Sequence, residues 1–122
     1  MTGEAPVLSI RTRTERGALV AELSGRLSAG PGVETFKGEL FPVIESGANL
    51  VVIDMSGVPY ADSMGIEALV SVYQKTQELG GGMRVLNPSP KVVQLFDLTK
   101  LGEVLGIVDN ESGAIDSLLE GP

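Results

Sequence analysis

Hydrophobic and polar residues alternate with a period of two along the first part of the chain. Leu8, Ile10 and Thr12 fall on one side, and Ser9, Arg11 and Arg13 on the other. After Glu15-Arg16-Gly17 the alternation resumes, with Leu19, Ala21 and Leu23 set against Val20, Glu22 and Ser24. Two such runs joined by a short Gly-containing turn predict a β-hairpin, its polar side wet or thinly covered. Residues 25–32 are expected to form a loop carrying Arg26, Ser28 and Pro31. The period then changes. Val33, Phe36, Leu40, Val43 and Ile44 share one side of a helix over 33–46. Glu34 stands in its first turn, where the helix dipole favours negative charge. Pro42 removes a backbone donor and predicts a kink, and Gly47 predicts the stop.

Leu50 to Ile53 is an unbroken apolar run rich in β-branched residues, as in a strand covered on both faces. Gly57 and Pro59 are read as breaking it. Ile66, Leu69, Val70 and Tyr73 carry the spacing of a helix over 63–79, stopped by Gly80-Gly81-Gly82. A short strand follows at 83–86. In Asn87-Pro88-Ser89-Pro90, Ser89 suits an N-cap and Pro90 a first helical position. Val92, Val93, Leu95 and Phe96 make the next helix amphipathic. Residues 99–106 read as a further turn or two, Ile107-Val108 as a brief edge strand, and Ile115, Leu118 and Leu119 as a last helix. The expected fold is α/β: a mixed sheet of four to five strands, opening on an antiparallel hairpin, with about four helices packed against it. One domain spans 7–119, between a disordered leader (1–6) and a short tail (120–122).

Composition narrows the chemistry. At 43% apolar and 4% aromatic, the 122 residues can build a core, and aliphatic side chains must fill it. A net charge of -7 argues against nucleic acid, which needs clustered Lys and Arg. With neither His nor Cys there is no catalytic triad, thiolate nucleophile, disulfide or common transition-metal site. Asp54 and Asp62 are the only carboxylates this reading places near one another, and nothing lines a pocket there. The Gly80 run lacks the Gly-Lys-Ser/Thr ending of a phosphate loop. No apolar run approaches the roughly 18 residues of a membrane span, and the N-terminus has no signal-peptide core. A cytoplasmic protein without cofactor or metal is expected.

One position stands apart. Ser63 lies at the mouth of a helix, just beyond a central strand. Asp62 and Ser63 compete for the N-cap, and neither has the Glu or Gln three residues on that makes a capping box. Gly65 permits close approach of another backbone, and Met64 offers an apolar side chain to a partner. A phosphate on Ser63 would add about -1.5 to -2 charges. Free N–H groups at a helix start accept an anion, so the helix would survive and the docked partner would feel the charge. Asp62 would sharpen that effect. Repulsion of a few kcal/mol at an effective dielectric of about 20, at tenfold per ~1.4 kcal/mol, is enough to switch binding off.

At these residues the chain resembles the STAS domain, specifically the bacterial anti-sigma factor antagonists. The matching motif is Asp54-Met55-Ser56-Gly57-Val58-Pro59-Tyr60-Ala61-Asp62-Ser63-Met64-Gly65. The likeness extends over about 7–119, through the hairpin, the Gly25-Arg26-Leu27-Ser28 turn and the strand Met83-Arg84-Val85-Leu86-Asn87. It implies partner switching. An anti-sigma factor of the serine-kinase type would phosphorylate Ser63, the unphosphorylated form would sequester that factor and free the sigma factor, and a serine phosphatase would reset the switch. Binding would centre on Asp62, Ser63, Met64, Gly65 and Ile66, flanked by Arg26 and Ser28 and by Asn87 and Ser89, with Asp54 and Gly57 as supporting motif. The protein would be substrate and binder, not catalyst. Two positions depart from the family pattern: Arg26 and Ser28 stand where acidic residues are frequent, and Met64 where a small hydroxylated residue is common.

Other readings stay open. A STAS scaffold or transporter accessory subunit needs no Ser63 phosphorylation. A receiver domain phosphorylated on Asp54 would need an acidic pair after the first strand to hold Mg²⁺, and Val7 to Thr14 ends without one. An enzyme with Ser63 as nucleophile lacks a legible base. Homodimerisation is left open.

Overall fold

The computed structural model describes residues 6–121; the expected leader lies mostly outside them. The order is β1 (Leu8–Glu15), β2 (Ala18–Leu27), α1 (Pro31–Glu45), β3 (Leu50–Ala61), α2 (Ser63–Glu78), β4 (Gly82–Leu86), α3 (Pro90–Thr99), α4 (Gly102–Leu105), β5 (Ile107–Val108) and α5 (Glu111–Leu119). The strands form a five-stranded sheet in sequence order. β1 and β2 are antiparallel, and β2, β3, β4 and β5 run parallel to one another.

Period two decides which side chains meet. Leu19, Ala21 and Leu23 of β2, Val51 and Ile53 of β3, and Met83 and Val85 of β4 face one way. There they pack on Phe36, Leu40 and Ile44 of α1, Ile66, Leu69 and Val72 of α2, and Val92 and Phe96 of α3. The alternate residues Ala18, Val20, Val52 and Leu86 face the other way and are covered by Ala114, Ile115 and Leu118 of α5. The second face is therefore sealed at one end, where only thin cover was expected. Hydrophobic burial also explains why β3 reads as a continuous apolar run: both its faces are dry there.

Three boundaries differ from the sequence reading. β2 continues through Leu27, so the loop before α1 is short. α1 starts at Pro31, two residues before the expected Val33, and the fixed φ of Pro31 suits a first helical position. The largest difference is β3, which does not break at Gly57 or Pro59 but runs to Ala61. Between Asp54 and Tyr60 its register against β2 shifts twice. Ser24 pairs with Gly57 and Arg26 with Tyr60, so β3 carries an extra residue in each interval. Such bulges bend a strand and leave a residue unpaired. Pro59 is one of the unpaired residues, and β4 ends opposite Asp54, so no ladder bond is lost on that side either.

Candidate functional site

The end of β3, the start of α2 and the turn after β2 converge at one corner of the sheet. Arg26 pairs with Tyr60 and Leu27 with Ala61, and the Asp62 N–H donates to the Leu27 carbonyl at 3.3 Å. The Asp62 side chain then serves two neighbours. Its Oδ1 accepts the Gly65 N–H at 2.9 Å, capping α2, and its Oδ2 accepts the Ala29 N–H at 3.0 Å. Asp62 thus wins the cap that both residues could fill. Ser63, freed of that role, is an exposed first helical residue.

Gly65 is buried where the first turn of α2 meets the end of β2, and a Cβ there would overlap the Leu27 carbonyl. This close approach seats the start of α2 directly against the backbone of β2. Ile66 points into the core. Met64 is 47% exposed and Tyr60 49% exposed, large apolar groups on the same corner. Tyr60 continues into a depression of about 300 Å³ shared with Lys91, Gln94, Leu95 and Leu98 of α3. Arg26 is exposed, and Ser28 half-buried with its carbonyl accepting the Val33 N–H at 3.0 Å.

The remaining residues singled out from sequence sit elsewhere or act locally. Ser89 caps α3, its Oγ accepting the Val92 N–H at 3.3 Å. Asn87 is exposed with a positive φ of 51°, and its N–H donates to Val108 of β5. No hydrogen bond among the described residues joins either one to Asp62 or Ser63. Asp54 and Gly57 lie on the open part of the second face, with Glu22, Arg11 and Ser24 around them. The Asp54 Oδ1 accepts the Ser56 N–H at 2.9 Å, and a Cβ on Gly57 would stand 2.6 Å from the Leu23 carbonyl oxygen. Both therefore shape the bulged strand. Asp54 and Asp62 are not a pair. They are separated along one strand by the length from Glu22 to Leu27 on β2, about 17 Å at the usual rise. Asp54 also lies well inside β3, which runs on to Ala61. No cluster of three or more metal-ligating side chains occurs among the described residues. Sequence reasoning missed Ala29, Tyr60, Lys91 and Leu98; only Tyr60, an exposed aromatic after Pro59 in the motif itself, carried a legible signal.

The STAS domain model matches residues 9–114. An anti-sigma-B factor antagonist of Bacillus subtilis is 30% identical over 77 residues, covering 63% of this chain and 70% of that one. An anti-sigma F factor antagonist of Paenibacillus polymyxa is 27% identical over 112 residues, covering 91% and 95%. The structure of the anti-sigma factor antagonist SpoIIAA in its unphosphorylated form superposes with a TM-score of 0.78 at 24% identity, covering 92% and 97% of the two chains. No helix among the described residues is long and apolar enough to cross a membrane. The chain belongs to the STAS domain family, among its anti-sigma factor antagonists.

Proposed function

We propose that this protein binds an anti-sigma factor through the corner built by Tyr60, Asp62, Ser63 and Met64, and that phosphorylation of Ser63 ends the association. The anti-sigma factor is of the serine-kinase type and transfers phosphate to the Ser63 hydroxyl; a serine phosphatase removes it. The protein itself catalyses nothing in this cycle.

One observation carries the reading: Asp62 holds the α2 cap with both carboxylate oxygens occupied, and Ser63 is left exposed beside Met64. A serine that capped the helix would have its oxygen engaged and its modification would cost a cap. Here a phosphate costs the fold little, because the first-turn N–H groups of α2 favour an anion. Its charge falls instead on the docked surface and next to the fixed Asp62 carboxylate. At a closed interface that repulsion is worth a few kcal/mol, or about two decades of affinity. The kinship with proteins named anti-sigma factor antagonists supplies the class of partner.

The test compares Ser63→Ala and Ser63→Asp for binding to a serine-kinase anti-sigma factor of the same organism, by calorimetry. Ser63→Ala is expected to bind within about threefold of the parent and Ser63→Asp at least tenfold more weakly. Incubation with the kinase and ATP should add one phosphate, mapped to Ser63 by mass spectrometry. Equal affinity of the two variants contradicts the proposal.

A further inference from the structure

A second feature lies away from Ser63, at the carboxyl ends of β4 and β5. β4 leads into α3, which packs on the first face of the sheet, and β5 leads into α5, which packs on the second. Adjacent parallel strands whose continuations leave on opposite faces open a crevice between them, and this is where open α/β sheets take small ligands. At β3 no such crevice arises, because α1, α2 and α3 all lie on one face. The crevice measures about 570 Å³, within the range of small-molecule sites.

Its lining selects the ligand. Pro88, Val93, Ile107 and Val108 give one apolar wall, and the polar groups are Asn87 and the pair Asp109 and Asn110. Asn110 is held in place: its Oδ1 accepts the Gly113 N–H at 2.6 Å and its Nδ2 donates to Asp109 Oδ1 at 3.2 Å. That leaves the Asn87 amide and the second Asp109 oxygen without a side-chain hydrogen bond among the described residues. No Lys or Arg lines the crevice. One free carboxylate, one free amide carbonyl and an apolar wall fit an ammonium group on a short apolar body. The charge of -7 on the whole chain raises the local concentration of such a cation.

We propose that the crevice between Asn87 and Asp109 binds a small amphipathic amine, with Asp109 and the Asn87 carbonyl receiving the ammonium and Val93 and Val108 the hydrocarbon. The probe is 2-phenylethylammonium, titrated into the ¹⁵N-labelled full chain and followed by amide chemical shifts. Phenylacetate and 2-phenylethanol, at matched ionic strength, test the charge. Saturable shifts at Asn87, Val108 and Gly113 are expected for the amine, with a millimolar dissociation constant, and none for phenylacetate. Asp109→Asn, which leaves the Asn110 cap in place, should weaken the amine about fivefold, while Asp97→Asn should not. Absence of saturation, equal binding of phenylacetate, or an unchanged constant in Asp109→Asn overturns the proposal. Ser63→Asp should leave the titration unaltered, so this result stands apart from the partner switch.

Discussion

Ala29, in the turn after β2, donates its backbone N–H to Oδ2 of Asp62 at 3.0 Å, tying that turn to the start of α2. The other oxygen of the same carboxylate caps the helix at Gly65. A single side chain therefore positions both the loop beside the site and the helix that bears Ser63. Removing it takes the partner from two N–H groups, the part-buried one of Gly65 and the exposed one of Ala29. Asp62→Ala is expected to lower stability by about 1–3 kcal/mol, more than an ordinary cap loss, with Asp62→Asn milder because one carbonyl oxygen remains. Urea unfolding of the three proteins measures this. A loss below about 0.5 kcal/mol would mean that the two bonds are not retained in solution.

The contact between Gly65 and Leu27 supplies a second expectation. A Cβ at 65 meets backbone, which cannot rotate away, so α2 must move off the sheet. Gly65→Ala should cost about 2 kcal/mol or more, as overpacking against a rigid neighbour does. Gly38 is the matched control. It lies inside α1, exposed, and a Cβ added there would meet nothing within 4 Å. Gly38→Ala should stabilise by about 0.5–1 kcal/mol, since alanine restricts the unfolded chain and favours helix. Denaturation midpoints moving in opposite directions check both at once.

The cover on the second face is fastened by charge. Arg13 of β1 makes a bidentate pair with Glu111 at the start of α5 and also bonds Glu22 at 3.4 Å. Arg16 adds a bond to Asp116 at 2.8 Å. Hydrogen bonds from Arg13 hold the Glu111 carboxyl below its ordinary value of 4.5, against a smaller opposing push from desolvation. A depressed carboxyl stabilises the fold above its unfolded pKa and ceases to do so as pH falls through the folded one. Stability should therefore decline from about pH 4.5 downward. The gap between the parent and Glu111→Gln, clear at pH 7, should close at low pH and shrink in high salt, since both partners are partly exposed. Urea midpoints across pH test this, and a gap that does not narrow as the carboxyl is protonated would refute it.

Much of this architecture is visible in local patterning. The alternation through Leu8 and Leu23, the apolar run before Asp54 and the spacing of Ile66, Leu69 and Tyr73 each mark an element, because burial imposes the period directly. What escapes is decided by distant pairing. Gly57 and Pro59 look like a break because propensity is local, whereas β3 persists there by hydrogen bonding to Ser24 and Arg26 of β2. Pro59 is tolerated at a bulge on a strand whose other neighbour has already ended. The fastening of α5 depends on Arg13 meeting Glu111, which nothing within a short window can announce. At the site, the pair Asp62 and Ser63 is legible as a helix start, but which of them caps it depends on the position of Ala29.

Met64 gives the sharpest separation of folding from binding. It is 47% exposed at the first turn of α2, and its neighbour Ile66 carries the core contact of that turn. Truncating an exposed side chain costs the fold little, within about 0.5 kcal/mol. The same side chain, desolvated at the centre of a docked surface, loses its burial on truncation and commonly more than 1 kcal/mol of binding. Met64→Ala should therefore keep the parental unfolding midpoint and weaken association with the anti-sigma partner about tenfold. Leu119, 50% exposed on α5 at the opposite face, serves as control: Leu119→Ala should change neither quantity. If Leu119→Ala weakens binding while Met64→Ala does not, the partner docks on the α5 face, and the charge on Ser63 acts from outside the interface.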